Sequence, residues 1–266
     1  LRVRNEYSPS AYSISTNSDL KKAASWGYNI GFDLGYLIPI GAVKVGAFSG
    51  LAIAFSQLSF QTNSAQYSYP TTDSKKVSYE RRYDISSASQ GVRFSDLMVP
   101  LYVSLETKIS SKARLIADFG GKAYFNTNAK VNPFSIDGAV YGDYGNGVIM
   151  DSGGDNFGAV HASFNEFLSA VSFRRQSIDY TAVGCLGVDF DINNGKAFVE
   201  TKLGYEAAFD YSYKSSENQF FNNQEGIFPY VYSGYLGRDV VVRPLADCVS
   251  FKRQGFWANI GIMLKF

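Results

Sequence analysis

Charged residues recur at every second position inside otherwise apolar stretches, and their types set the chemistry open to the chain. Asp33, Glu106, Arg114, Asp118, Lys122, Asp189, Glu200, Lys202 and Glu206, with Lys44, Asp96, Lys108, Asp179, Asp191, Asp210 and Lys265, each fall on the face of their own stretch opposite its apolar residues. Carboxylates and cations gathered on a shared face can neutralise one another as an ion-paired filler, or they can line a narrow cation-preferring pore. The single histidine, His161, stands near Asp155 and Ser163. A hydrolytic triad would need a nucleophile, a base and an orienting group in reach, and no elbow-like motif marks a serine for that role; a plain loop histidine is the alternative. Cys185 and Cys248 lie 63 positions apart and offer no metal-ligand spacing. A disulfide between them would require a loop to dip deep between the strands; two free, buried thiols are the alternative. No catalytic, cofactor or metal site is assigned.

These side chains need a scaffold that alternates. From Trp26 the even positions read Trp26, Tyr28, Ile30, Phe32, Leu34, Tyr36, Ile38, against Gly27, Asn29, Gly31, Asp33 and Gly35. That is a strand longer than the usual five or six residues. A turn at Pro39-Ile40-Gly41 leads to a second strand, Lys44 to Phe60, whose alternation Phe48 and Leu58 blur. The scheme repeats around Ser110-Ser111-Lys112 and around Asn193-Asn194-Gly195, the latter an Asn-Gly hairpin signal. The last strand runs to Phe266. Seven strands are clear, and an eighth can come only from Leu1–Tyr7 or Ala11–Ser15. Between the short turns lie three long connections, 61–91, 127–178 and 212–253, and within the second the spacing of Val160, Phe164, Phe167, Leu168 and Val171 suggests a short helix. Leu1–Glu6 carries no apolar signal-peptide core, as expected of a mature or trimmed chain.

Composition narrows the class. The chain has 266 residues, 45% hydrophobic, 16% aromatic and 18% charged, with net charge +1. That excludes disorder and nucleic-acid binding driven by positive charge. A soluble barrel and a membrane barrel both alternate, so the two faces must decide. The apolar face carries no charge. Trp26, Tyr28 and Tyr36, and likewise Tyr180 and Phe190, bracket aliphatic centres, as at the two interfaces of a bilayer. The expected fold is all-β: a closed antiparallel transmembrane β-barrel of eight strands with three long extracellular loops. It forms one domain, 1–266, with 1–23 a weak first strand and loop and 24–266 clear hairpins.

The segment Gly255–Phe266 resembles the C-terminal strand of Gram-negative outer-membrane barrels, with Phe256, Ile260, Ile262 and Leu264 alternating and Phe266 a terminal aromatic. The hairpins of 24–266 look like small barrels of the OmpA/OmpX type. Leu97-Met98-Val99-Pro100-Leu101-Tyr102 is similar to the segment opening a central hairpin in the Bacteroidota outer-membrane protein beta-barrel domain group. The resemblance implies an outer-membrane location, termini on the periplasmic side, reading of the last strand by the barrel-assembly machinery, and contact with outer-membrane lipid and lipopolysaccharide. The loops carry the contact candidates Arg81, Arg82, Phe220, Phe221, Tyr230 and Tyr232, since aromatic and Arg residues dominate hot spots. Three functions stay open: a non-enzymatic barrel binding a partner protein or surface glycan, as accessory subunit of an outer-membrane complex; a small pore; or an outer-membrane enzyme.

Overall fold

The computed structural model describes residues 1–9, 11–16, 22–62, 65–132, 134–151, 157–164, 177–214, 221–222, 241–242 and 249–266. All regular structure among them is strand. Eight strands close a ring: β1 (Arg2–Ser8), β2 (Lys22–Ile40), β3 (Val43–Thr62), β4 (Ser78–Lys108), β5 (Ala113–Val131), β6 (Ile178–Asp191), β7 (Ala197–Ala208) and β8 (Val249–Leu264). Each pairs antiparallel with the next in sequence, and β8 returns to β1 with Arg2 opposite Met263 and Tyr7 opposite Ala258. Closure leaves every strand of the ring with two hydrogen-bonded neighbours.

The N-terminal stretch supplies both pieces considered for the first strand. Arg2–Ser8 closes the ring, and Tyr12–Thr16 pairs with the start of β8. The three tight turns and both termini share one end: the Leu1 amino group meets the Leu264 carbonyl at 3.0 Å, and the Lys265 amide meets the Lys196 carbonyl at 2.9 Å. Asn194 and Gly195 both take positive φ, 44° and 85°, the geometry of a two-residue hairpin turn.

The opposite end differs from the sequence expectation. Much of 61–91 and 127–164 is paired strand: Ala65–Thr72 folds onto Ser78–Ile85, Phe134–Asp143 pairs with the same part of β4, and Gly158–Phe164 pairs with Phe134–Val140. The helix expected over 160–173 is strand as far as Phe164, and its remainder lies outside the described residues.

The reason is a reversal of polarity along single strands. On β4 below Asp96 the outward residues are Leu97, Val99, Leu101, Val103 and Leu105, and the inward ones include Asp96, Tyr102, Ser104 and Glu106. Above it Arg82, Asp84, Ser89 and Arg93 face out, while Tyr83, Ile85, Ala88, Val92 and Phe94 are buried. The switch coincides with a register shift against β5 at Ser95/Asp96. β3 changes at the same height, from Leu51 and Ile53 outward to Gln57, Ser59 and Gln61. Phe48 and Leu58, which blurred the pattern of β3, both point inward.

Candidate functional site: the ionic interior

The alternating charges converge inside the ring. β1 carries Arg2 and Arg4 inward between outward Val3 and Asn5, and these two guanidinium groups organise the lower tiers. Arg2, 1% exposed, reaches Glu106 at 3.2 Å, Glu200 at 3.2 Å and Asp118 at 3.5 Å, and its guanidinium lies 3.8 Å from the centre of the Phe48 ring. Lys202 bridges Asp118 at 2.5 Å and Glu200 at 2.7 Å, and Lys265 meets Glu106 at 2.8 Å. Arg114 lies 3.6 Å from Glu106 and 4.0 Å over Phe198.

One tier up, Arg4 contacts Asp33 at 2.5 Å and Glu6 at 3.1 Å and donates to the Tyr102 hydroxyl, which itself donates to Asp33. Lys122 joins Glu6 at 2.7 Å to Glu206 at 3.0 Å, and the Tyr124 hydroxyl donates to Glu206. Higher still, Arg253 meets Asp96 at 2.6 Å and the Tyr12 hydroxyl at 2.7 Å, with its guanidinium on the Tyr124 ring. Apolar packing caps the stack: Tyr12, Phe94 and Phe251 meet ring to ring at 5.3–5.9 Å, beside buried Leu58, Phe60 and Val92.

Asp33, Asp96, Glu106, Arg114, Asp118, Lys122, Glu200, Lys202, Glu206 and Lys265 of the expected polar face join this network, whereas Lys108 and Asp210 are exposed and Asp189 stands apart. It is 0% exposed, lies in register between Arg114 and Glu200, and has no hydrogen bond to either oxygen among the described residues. Cys185 is a buried free thiol 3.7 Å from Asp118; Cys248 lies outside the described residues. Two voids beside the network among the described residues measure about 20 and 30 Å³, room for one water or two each. Sequence reasoning missed Arg2, Arg4, Glu6 and Arg253. Six cations cannot neutralise ten carboxylates, and that imbalance was the signal that further arginines had to point in.

The outer wall is the reverse. Leu203 is 72% exposed and Phe256 71%, with Phe32, Leu34, Ile53, Leu101, Phe119, Leu186, Ile260 and Ile262 also exposed around the ring. Phe256, Ile260, Ile262 and Phe266 of the proposed assembly signal all lie on this wall, while Leu264 is half-buried.

The contact candidates divide. Arg81 is not presented to a partner: it is buried against Phe157 and Tyr83, at 5.5 and 5.9 Å, because it sits on the inward parity of β4. Arg82 faces out and pairs with Glu80 and Asp143, each at 2.7 Å. Hydrogen bonds from Ser68 and Arg82 hold the Glu80 carboxyl below its usual range. Phe221 pairs through its backbone with Val242; Phe220, Tyr230 and Tyr232 lie outside the described residues. His161 is a strand residue opposite Asp137, not a loop residue. Among the described residues no group of three or more His, Cys, Asp or Glu side chains could hold a metal ion. No known protein-family model matches the chain, and no curated protein matches it in sequence.

Proposed function

We propose that this chain is an integral β-barrel of a Gram-negative outer membrane, closed to ions by its charged interior, that binds a partner through its outer end. The observation that carries this reading is the inversion of the ring: large apolar side chains cover its outside while arginines, lysines and carboxylates fill its inside. In water that arrangement exposes a continuous apolar belt far larger than a soluble monomer tolerates. In a bilayer it is the stable one. At ~3.3 Å per residue and a tilt near 40°, the outward apolar run is about 20 Å tall from Leu97 to Leu105 and about 35 Å from Trp26 to Ile40. These heights bracket the ~25 Å apolar band of outer-membrane barrels.

The lumen serves as filler. Its ion pairs are direct, and the two voids beside them among the described residues hold no more than a water or two each, which supports a filled lumen. The reversal at Ser95/Asp96 then marks where lipid gives way to water, and the strands above it form a platform with apolar packing inside and polar residues outside. The segment 215–248 connects β7 to β8 at this end, and its Phe220, Phe221, Tyr230 and Tyr232 are of the residue types that interfaces favour.

The testing experiment replaces 215–247 with a short Gly/Ser turn, keeping Tyr213 and Phe251, which pair through their backbones. The shortened chain should still resist urea extraction from membranes, and partners co-purifying with the full chain should be lost. A chain extracted by urea refutes the membrane reading; a shortened chain that keeps every partner refutes the assignment of binding to this segment.

A further inference from the structure

Two rungs above the apolar band, β4 and β5 place Arg93 directly opposite Lys130, both outward and exposed. Like charges opposed across a strand pair repel and cost stability. Neither side chain has a hydrogen-bond or ion-pair partner among the described residues. The third outward residue on this row, Gln57 of β3, is neutral. The height is informative. Arg93 stands four residues beyond Leu97, the last outward apolar residue of β4, which is about 10 Å along the ring axis at ~3.3 Å per residue and a 40° tilt. Headgroups occupy the ~5–8 Å beyond the hydrocarbon, and long basic side chains reach several ångströms toward them. On β8 the pattern recurs: Lys252 faces out four residues beyond Phe256. No outward Asp or Glu stands at this height among the described residues of β3, β4, β5 or β8.

Resting on the membrane reading above, we infer that Arg93 and Lys130 form a binding site for a phosphate group of an anionic lipid in the outer leaflet. A phosphate oxygen between the guanidinium and the ammonium replaces their mutual repulsion with two charge-assisted hydrogen bonds. The lipid's acyl chains then lie along Leu97, Phe125 and Leu101, which form the apolar wall directly below. Lys252 extends the same preference to the far side of the ring.

The test uses the full chain in phosphatidylcholine nanodiscs titrated with diphosphoryl lipid A, with dephosphorylated lipid A and inorganic phosphate as separate arms. Arg93→Gln/Lys130→Gln should weaken diphosphoryl lipid A binding about thirtyfold, which at 1.4 kcal/mol per tenfold is about 2 kcal/mol, or about 1 kcal/mol per basic residue facing an anionic surface. Lys75→Gln/Lys76→Gln removes the same charge at an exposed hairpin tip remote from the band and should leave binding unchanged. Equal binding by the Arg93/Lys130 variant and the unmodified chain overturns the site, as does equal binding of dephosphorylated lipid A. Displacement of the lipid by inorganic phosphate at similar concentration also overturns it, since the acyl wall would then contribute nothing. A chain that never enters the nanodisc refutes the membrane reading itself; insertion with unchanged lipid affinity refutes the site alone.

Discussion

Lys122→Met tests whether the interior is a dry ionic plug or a hydrated surface turned inward. The ammonium stands 2.7 Å from Glu6 and 3.0 Å from Glu206, on side chains no more than 10% exposed. Methionine keeps most of the stem's volume, so the change removes chiefly the charge. Glu6 retains Arg4 at 3.1 Å and the Asn29 amide at 2.8 Å, whereas Glu206 retains the Tyr124 hydroxyl at 2.9 Å. Stranding one partner of a buried pair costs about 3–5 kcal/mol, and the support left to Glu6 puts this case near the lower end, about 3 kcal/mol. An exposed pair would be worth about 0–1 kcal/mol. Adding Glu206→Gln removes the stranded charge and should restore a good part of the loss. The assay is a urea titration in phospholipid vesicles, read by the mobility of unheated folded protein on gels. A loss below about 1 kcal/mol, or no recovery in the double variant, would show that water screens the interior and would refute the plug.

Other perturbations address the wall, the turns and the topology. Leu203→Arg and Leu186→Arg, on the exposed apolar wall, should each cost about 2–4 kcal/mol when the chain is folded in a bilayer, measured by the same titration; tolerance of both would mean the wall faces water. Gly204→Ser, which parity alone marks as a mild lumen change, should cost about 1–3 kcal/mol, because a Cβ there would lie 2.5 Å or less from the Trp257 ring and 2.7 Å from Cys185. Trypsin added to intact cells should cut at Lys75 or Lys76 in the exposed tip and spare Lys112 at the opposite end; the reverse pattern would invert the topology. Purified chain in a planar bilayer should show no steady conductance, and a reproducible open level would contradict a filled lumen.

The strands whose outward residues are uniformly apolar were legible in the sequence, because period-two alternation with one charge-free face has a single geometric solution. β1 was faint for the opposite reason. Arg2, Arg4 and Glu6 alternate with Val3, Asn5 and Tyr7, so that neither face of the segment is apolar. Its charges make sense only once the carboxylates of five other strands surround them. The upper part of β4 read as loop because its outward Ser, Arg and Asp residues resemble connection chemistry, while its inward Tyr83, Ile85, Val92 and Phe94 fall on the parity that lower down carries charge. A search for one consistent apolar face cannot follow a strand across that change of surroundings. Pairwise partners within the network, such as Lys122 with both Glu6 and Glu206, depend on contacts across the ring between residues 84 and 116 positions apart, which spacing along the chain does not encode.

The central claim is that the outside of the ring meets lipid and the inside does not, and the chain's two tryptophans report on each side. Trp26 lies on the outer wall at 40% exposure, near the outer edge of the apolar band, and Trp257 points inward at 6% beneath Lys122. In vesicles of brominated phosphatidylcholine, the Trp257→Phe variant, fluorescing through Trp26, should be strongly quenched, most by bromines placed near the headgroup. The Trp26→Phe variant, fluorescing through Trp257, should be quenched little at any bromine depth. Equal quenching of the two, or an absence of quenching at Trp26, would contradict the claim.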